Sequence, residues 1–260
     1  LRVALFRDGE AMVRFLLAVL ALGVAGGLGT LIVLVWTSGF LPDFLQPSAI
    51  SVLLSKPVPR WSLVLGKVVG VIAFVTWQFG LFLGATFLAT GLSTRYWFTG
   101  YLWALPVLVV NFAIIYGVSA LLAVRTRNAI LCVAGAALFW IVCLSVNSLR
   151  HSGQAAERPI DGVPAAAASP ASSVPPRIVS WNATQEYVLE ASYWVLPKPA
   201  DLIVVLDRMI MADREIGLPA PLRAAADSGR WSAGLSLVSS LAFAVLITGV
   251  AAWKFHSADY

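Results

Sequence analysis

Leu53-Leu54-Ser55-Lys56-Pro57-Val58-Pro59-Arg60-Trp61-Ser62-Leu63-Val64-Leu65-Gly66-Lys67 decides how this chain is laid out: a basic segment, broken twice by proline, between two long apolar runs. No charged residue occurs between Arg14 and Asp43 before it, or between Lys67 and Arg95 after it. Each run exceeds the roughly 20 apolar residues with which a helix crosses a hydrocarbon core about 30 Å thick. The segment is therefore expected at a membrane face. Its cations Lys56, Arg60 and Lys67 lie in a short link close to both spans, where the positive-inside bias is strongest, and this predicts the cytoplasmic side.

Composition agrees. The 260 residues are 59% hydrophobic and 12% charged, with a mean hydropathy of +0.84, too apolar for a soluble domain. The formal charge of +5 does not indicate nucleic acid, because the cations are spread over loops rather than gathered on one stripe. Anionic lipid headgroups are the partner they match. Cys132 and Cys143 are eleven positions apart in one uncharged run, roughly 16 Å along a helix. That is beyond the reach of a disulfide, and both read as buried apolar filler.

Taken in order, the sequence predicts an all-α polytopic bundle of five spans. Residues 1–147 hold four of them, with the cytoplasmic segment at about 45–67; residues 148–230 form a long extracytoplasmic loop; residues 231–260 hold the last span and a cytoplasmic tail. The first span runs from about Ala11 to Phe40, and its Gly23, Gly26, Gly27 and Gly29 would let another helix backbone approach. Pro42 and Pro47 end it. A short surface helix is expected over Ser48–Leu54, with Ile50, Leu53 and Leu54 on one face. Pro57 and Pro59 stop a regular helix from passing through, and the second span restarts near Arg60 or Trp61.

The link Thr94–Gly100 carries Tyr96, Trp97 and Phe98, with Tyr101 and Trp103 just beyond, aromatics expected at the headgroup level of the opposite face. The third span, about Tyr101–Val124, is expected to be interrupted by Pro106 and Asn111, and returns to Arg125 and Arg127. The fourth covers about Asn128–Ser148. Pro164–Pro176 contains only Ala, Ser, Pro and Val and cannot bury enough surface to fold alone. In Pro199–Glu215, Leu202, Leu206, Met209 and Ile210 share a helical face, which suits a helix lying on the outer membrane surface. Asn182-Ala183-Thr184 matches a glycosylation sequon by pattern alone. Trp231–Trp253 is the fifth span. Five spans and a cytoplasmic tail put residue 1 outside, so a preceding span is expected to be missing from the chain, which starts at Leu1 and shows no signal peptide.

The chemistry expected of a pump or an enzyme is absent from the pattern. No ionisable residue interrupts a span at membrane depth, which disfavours a transporter with its own ion relay. There is no phosphate-binding glycine loop, nucleophile elbow or metal-spaced histidine cluster, so no catalytic, cofactor or metal site is assigned. His151 and His256 are lone surface histidines. Gln78 and Asn111 are the mid-span amides of the second and third helices, candidates for a substrate path or for hydrogen bonds between helices.

Ile50-Ser51-Val52-Leu53-Leu54-Ser55-Lys56-Pro57-Val58-Pro59-Arg60-Trp61, followed by Leu65-Gly66-Lys67, resembles the cytoplasmic stretch of the type-2 ATP-binding-cassette (ABC-2) permeases. In those six-span membrane subunits a leucine-rich segment, a Lys-Pro-Val-x-Arg core and a Gly-Lys pair lie between the second and third spans. The tail Lys254–Tyr260 is similar to the family's short basic-aromatic ending. The approach Leu41–Pro47, with Asp43 its one acidic residue, departs from the family's glutamate-containing pattern. The resemblance implies an exporter-like permease of the bacterial cytoplasmic membrane that pairs with a second permease copy and docks a cytoplasmic ABC ATPase. ATP and Mg would be held by that partner. It implies that Leu45–Lys67 is the coupling element, with Lys56 and Arg60 as polar contacts, Pro57, Pro59 and Trp61 setting the turn and its depth, and Lys67 closing the motif. A membrane anchor that recruits a soluble partner through the same segment is the competing reading.

Overall fold

Inside a bilayer no water is available to backbone amides, so an uncharged run must satisfy its own hydrogen bonds, and each run here does so as a helix. The structure, a computed structural model, describes residues 9–44, 59–156, 183–210 and 233–257. Five helical segments in it are long and apolar enough to cross a membrane: Met12–Phe44, Trp61–Thr94, Thr99–Thr126, Ala129–Arg150 and Gly234–His256. The chain is an all-α, multi-pass membrane protein, without strands among the described residues. The Ser48–Leu54 helix, the Pro164–Pro176 stretch and Asn182 of the sequon lie outside the described residues.

The first span is α1 (Gly9–Ala18), a π-helical stretch (Val19–Gly29), α2 (Thr30–Ser38) and α3 (Phe40–Phe44); α4 is Arg60–Thr94, α5 Ala104–Thr126, α6 Ala129–Ala156, α7 Ala183–Val195, α8 Pro199–Ile210 and α9 Ala233–His256. At one end of the bundle, the motif end, Lys67 of α4 sits over the Phe44 ring of α3. At the far end Arg14 of α1 sits over Phe98, and Arg150 of α6 reaches Glu190 of α7. The 35 residues of α4 rise roughly 50 Å, more than a bilayer core, so α4 tilts or projects beyond it.

The core is built around α5. In its most apolar stretch 67% is buried, against 17–28% in the other four spans. α9 lies along α5 at Gly117, where an added Cβ would stand 2.5 Å from Ile247 Cγ2, so the absent side chain sets how closely the two helices pack. Ile247 is β-branched and stiff, and cannot turn aside cheaply.

Two expected breaks do not occur. Pro42 falls in the first turn of α3, after a turn at Gly39, and Pro106 in the first turn of α5. A first-turn residue donates no intrahelical hydrogen bond, so proline is tolerated there, and the first span continues to Phe44. The helices end on signals the sequence offers less openly. Arg95 and Arg127 take left-handed conformations, φ 61° and 51°, and their amides donate to Gly91 and Ala123 carbonyls, closing α4 and α5. Asn128 caps α6 from outside, its Oδ1 accepting the Ile130 amide at 2.9 Å. Tyr101 is a correction to the aromatic belt: it is fully buried and bonded to the Thr86 hydroxyl at 2.8 Å, while Tyr96, Trp97 and Trp103 are exposed as expected.

Among the described residues of this one chain, no other helix's backbone is seen within 4 Å of the Cβ positions of Gly23, Gly26, Gly27 or Gly29. Instead the helix widens. A Cβ on Gly29 would lie 2.9 Å from the Val24 carbonyl oxygen, and one on Gly26 would lie 3.2 Å from that of Ala21, each five residues back. Bare glycine leaves room for the carbonyls of a π turn, a form that recurs at functional sites.

Candidate functional site

Of the residues assigned to coupling, Lys56 and Pro57 lie outside the described residues, and Arg60 is placed as the first residue of α4. Pro59 precedes it in an extended conformation, φ −62° and ψ 131°, and its carbonyl accepts from both the amide and the hydroxyl of Ser62. The extended ψ of Pro59 leaves it outside the helix, which starts at Arg60. Trp61 is exposed; Lys67, two turns on, is half-buried with Nζ 5.5 Å from the centre of the Phe44 ring. That contact ties the end of the first span to the base of the second. Arg125, Arg127 and Asn128 are exposed, and the C-terminal turn of α9 adds Lys254 and His256.

The far end carries a polar cluster that the sequence reading missed. The peptide Pro197-Lys198-Pro199 links α7 to α8, and Pro199 takes the first position of α8, where proline fits best. Asp201 is then in the first turn, where a negative charge suits the helix dipole. Its Oδ2 accepts the hydroxyls of Tyr193 from α7 and Ser236 from α9, each at 2.7 Å, and it is fully buried. The Lys198 amide donates to Ser240 Oγ at 3.2 Å. The Lys198 ammonium, in a residue only 2% exposed, lies 4.3 Å from the Tyr193 ring and 4.8 Å from that of Trp194, while the Arg150 guanidinium lies 3.6 Å from the Tyr193 ring.

Burial pushes the Lys198 ammonium below its ordinary range; the Asp201 carboxylate opposes that and Arg150 adds to it. Burial first, then Asp201, pushes the Tyr193 phenol well above its own, with Arg150 opposing. The cluster fastens α7, α8 and α9 to one another. Ser236 and Ser240, four apart in the last span, put two hydroxyls on one helix face, and this was the available signal.

α8 is more deeply packed than a surface helix need be. Ala200, Leu202, Val204, Val205, Leu206 and Ile210 are all buried, and it contacts α5, α6 and α9. Five consecutive apolar residues, Leu202–Leu206, cover every side of a helix, which fits burial all round. Behind α8 is a cavity of about 120 Å³. Leu22, Gly26 and Gly27 of the π-helical stretch form one wall, Val107, Leu108 and Asn111 of α5 a second, and Trp140 and Leu144 of α6 a third; Pro199, Leu202, Ile203 and Leu206 close it from the far end. Asn111, 9% exposed, makes no hydrogen bond to a described residue. The buried indole N–H of Trp140 also has no partner among them. Gln78, half-buried on α4, does not line this cavity, so the structure does not bring the two mid-span amides to one site.

Cys132 and Cys143 are buried free thiols, and no group of three or more His, Cys, Asp or Glu among the described residues is placed to hold a metal ion. Compared with known proteins, the chain matches no family model, no curated protein sequence and no solved structure.

Proposed function

We propose that this chain is the membrane-spanning permease subunit of an ATP-driven ABC transporter, an exporter of the bacterial cytoplasmic membrane that works as a dimer of permeases. The observation that carries the reading is the Ile50–Lys67 segment, whose Leu-rich approach, Lys56-Pro57-Val58-Pro59-Arg60 core and Gly66-Lys67 pair resemble the ATPase-coupling stretch of the ABC-2 permeases. Two features of the fold support it: five apolar helices, and a helix that restarts at Arg60 and, two turns on, meets Phe44 of the first span through Lys67. A segment anchored in this way between two spans can pass a displacement of its partner to both. The motif end is then cytoplasmic and the α7–α8 end outside, in line with the exposed Arg125 and Arg127 that follow the third span.

The test is the double substitution Lys56→Glu with Arg60→Glu. Lys67, Arg125, Arg127 and Lys254 still set orientation, so the variant should insert and fold. Like-charge repulsion against an acidic docking surface costs several kcal/mol, so the variant should no longer retain an ABC ATPase on purification or stimulate its turnover. Full retention of both would overturn the coupling role and leave these cations as topology signals.

A further inference from the structure

The cavity behind α8 contains a polar group that the protein leaves unanswered. The Asn111 carboxamide, which can donate and accept, lines a wall otherwise made of aliphatic side chains, glycine and the Trp140 ring, and makes no hydrogen bond to a described residue. The Trp140 indole N–H, on the neighbouring helix, has no partner either, but it is sealed from the open space, and only the ring forms part of the wall. Buried polar groups are as a rule hydrogen-bonded, and an amide without a partner at a cavity points to something that belongs in it. The room is created by Gly26 and Gly27, and a Cβ on Gly27 would meet nothing nearer than the Leu22 carbonyl at 3.8 Å. No charged side chain lines the space, so an ionised ligand would lose its hydration without compensation.

We propose that this cavity binds a small neutral molecule, about one aromatic ring in size, that carries a single hydrogen-bonding group for Asn111, with a phenol as the simplest example. The size follows from the volume: about 120 Å³ compares with the engineered apolar cavity of about 150 Å³ that takes up benzene. The polar requirement follows from Asn111, because an amide that loses its water needs a partner on the ligand. The π-helical stretch supplies one wall and α8 another, and the cavity is only partly enclosed, so a ligand can enter without displacing either. The assignment does not depend on ATPase coupling.

Fluorine NMR of the full chain in detergent micelles, titrated with 4-fluorophenol and separately with fluorobenzene, tests it. The expected result is saturable binding of 4-fluorophenol above its linear partition into micelles. Asn111→Leu, similar in volume, should weaken 4-fluorophenol about tenfold and change fluorobenzene less than twofold. Gly27→Leu, which fills the space, should abolish saturable binding of both. Partition alone in the wild-type protein, as expected if water is the occupant, would overturn the proposal. So would equal affinity for 4-fluorophenol in wild type and Asn111→Leu, a comparison that remains available if Gly27→Leu does not fold.

Discussion

At the motif end Lys67 rests 5.5 Å from the Phe44 ring, and around it Pro59, Trp61, Arg125 and Arg127 are exposed. At the far end Lys198, Asp201, Ser236 and Ser240 are each 2% exposed or less, and they join three helices. The first arrangement leaves its charges exposed or half-buried, where each adds little to stability. The second removes charges from water, which costs desolvation and is held only while every hydrogen bond is made. The contrast suggests a division of labour. The far end fixes where α8 sits, and so the shape of the cavity behind it; the motif end presents its cations at the surface.

The contrast is tested most severely at Asp201. Asp201→Ala removes the acceptor shared by Tyr193 and Ser236 and the carboxylate that offsets the burial of Lys198, and should destabilise the protein by about 3 kcal/mol. The midpoint of denaturant unfolding of the purified full chain reads it. A loss below about 0.5 kcal/mol would put the far end in the same class as an exposed ion pair. Ser236→Ala removes one of the two hydroxyls and should cost about 1 kcal/mol in the same measurement. The order of the two matters as much as their size: if Ser236→Ala costs more than Asp201→Ala, the carboxylate is not the centre of the cluster.

How much of this was legible in the sequence divides along the same line. The spans, the break at Pro59 and the exposed cations follow from local pattern, because charge, proline and apolar run length act over a few residues. The Asp201 cluster draws on residues up to 42 positions apart, Lys198 with Ser240, and no local period encodes such a pairing. Its traces, a lysine between two prolines and serines four apart in a span, acquire meaning only once α8 is seen to be buried. Asn111 stood out as a mid-span amide, yet the cavity beside it requires Gly26, Trp140 and Leu202 from three other elements. A glycine run in a membrane span can admit another helix's backbone or simply reflect how common small residues are there. Here its missing side chains admit the helix's own carbonyls.

Lys198 sharpens the comparison through pH. With its folded value below the ordinary 10.5, the unfolded chain holds the proton more tightly between those two values, and stability rises with pH across that window. Tyr193 acts in the opposite sense: its phenol ionises first in the unfolded chain, so stability falls above its ordinary value of 10.0. Melting temperatures should therefore be compared as the pH rises toward, but stays below, the tyrosine's ordinary value of 10.0. Lys198→Met should flatten the rise seen in the wild-type protein. An unchanged slope would mean that the ammonium is solvated in the folded state.

The smallest effect is expected at the motif end, where Lys67→Ala removes a cation from beside the Phe44 ring. A cation over an aromatic face is worth about 0.5–1 kcal/mol near the surface, and the half-buried stem of Lys67 adds some apolar contact, so the unfolding midpoint should fall by no more than about 1 kcal/mol. Lys67→Met preserves most of that stem and should recover part of the loss, separating stem packing from charge. Function should respond out of proportion: if Lys67 holds the start of α4 against the end of the first span, Lys67→Ala should lower ATPase stimulation severalfold while the ATPase still co-purifies. Comparable losses of stability at Lys67 and Asp201 would erase the difference between the ends. Undiminished stimulation would confine Lys67 to packing and leave coupling to the residues before α4.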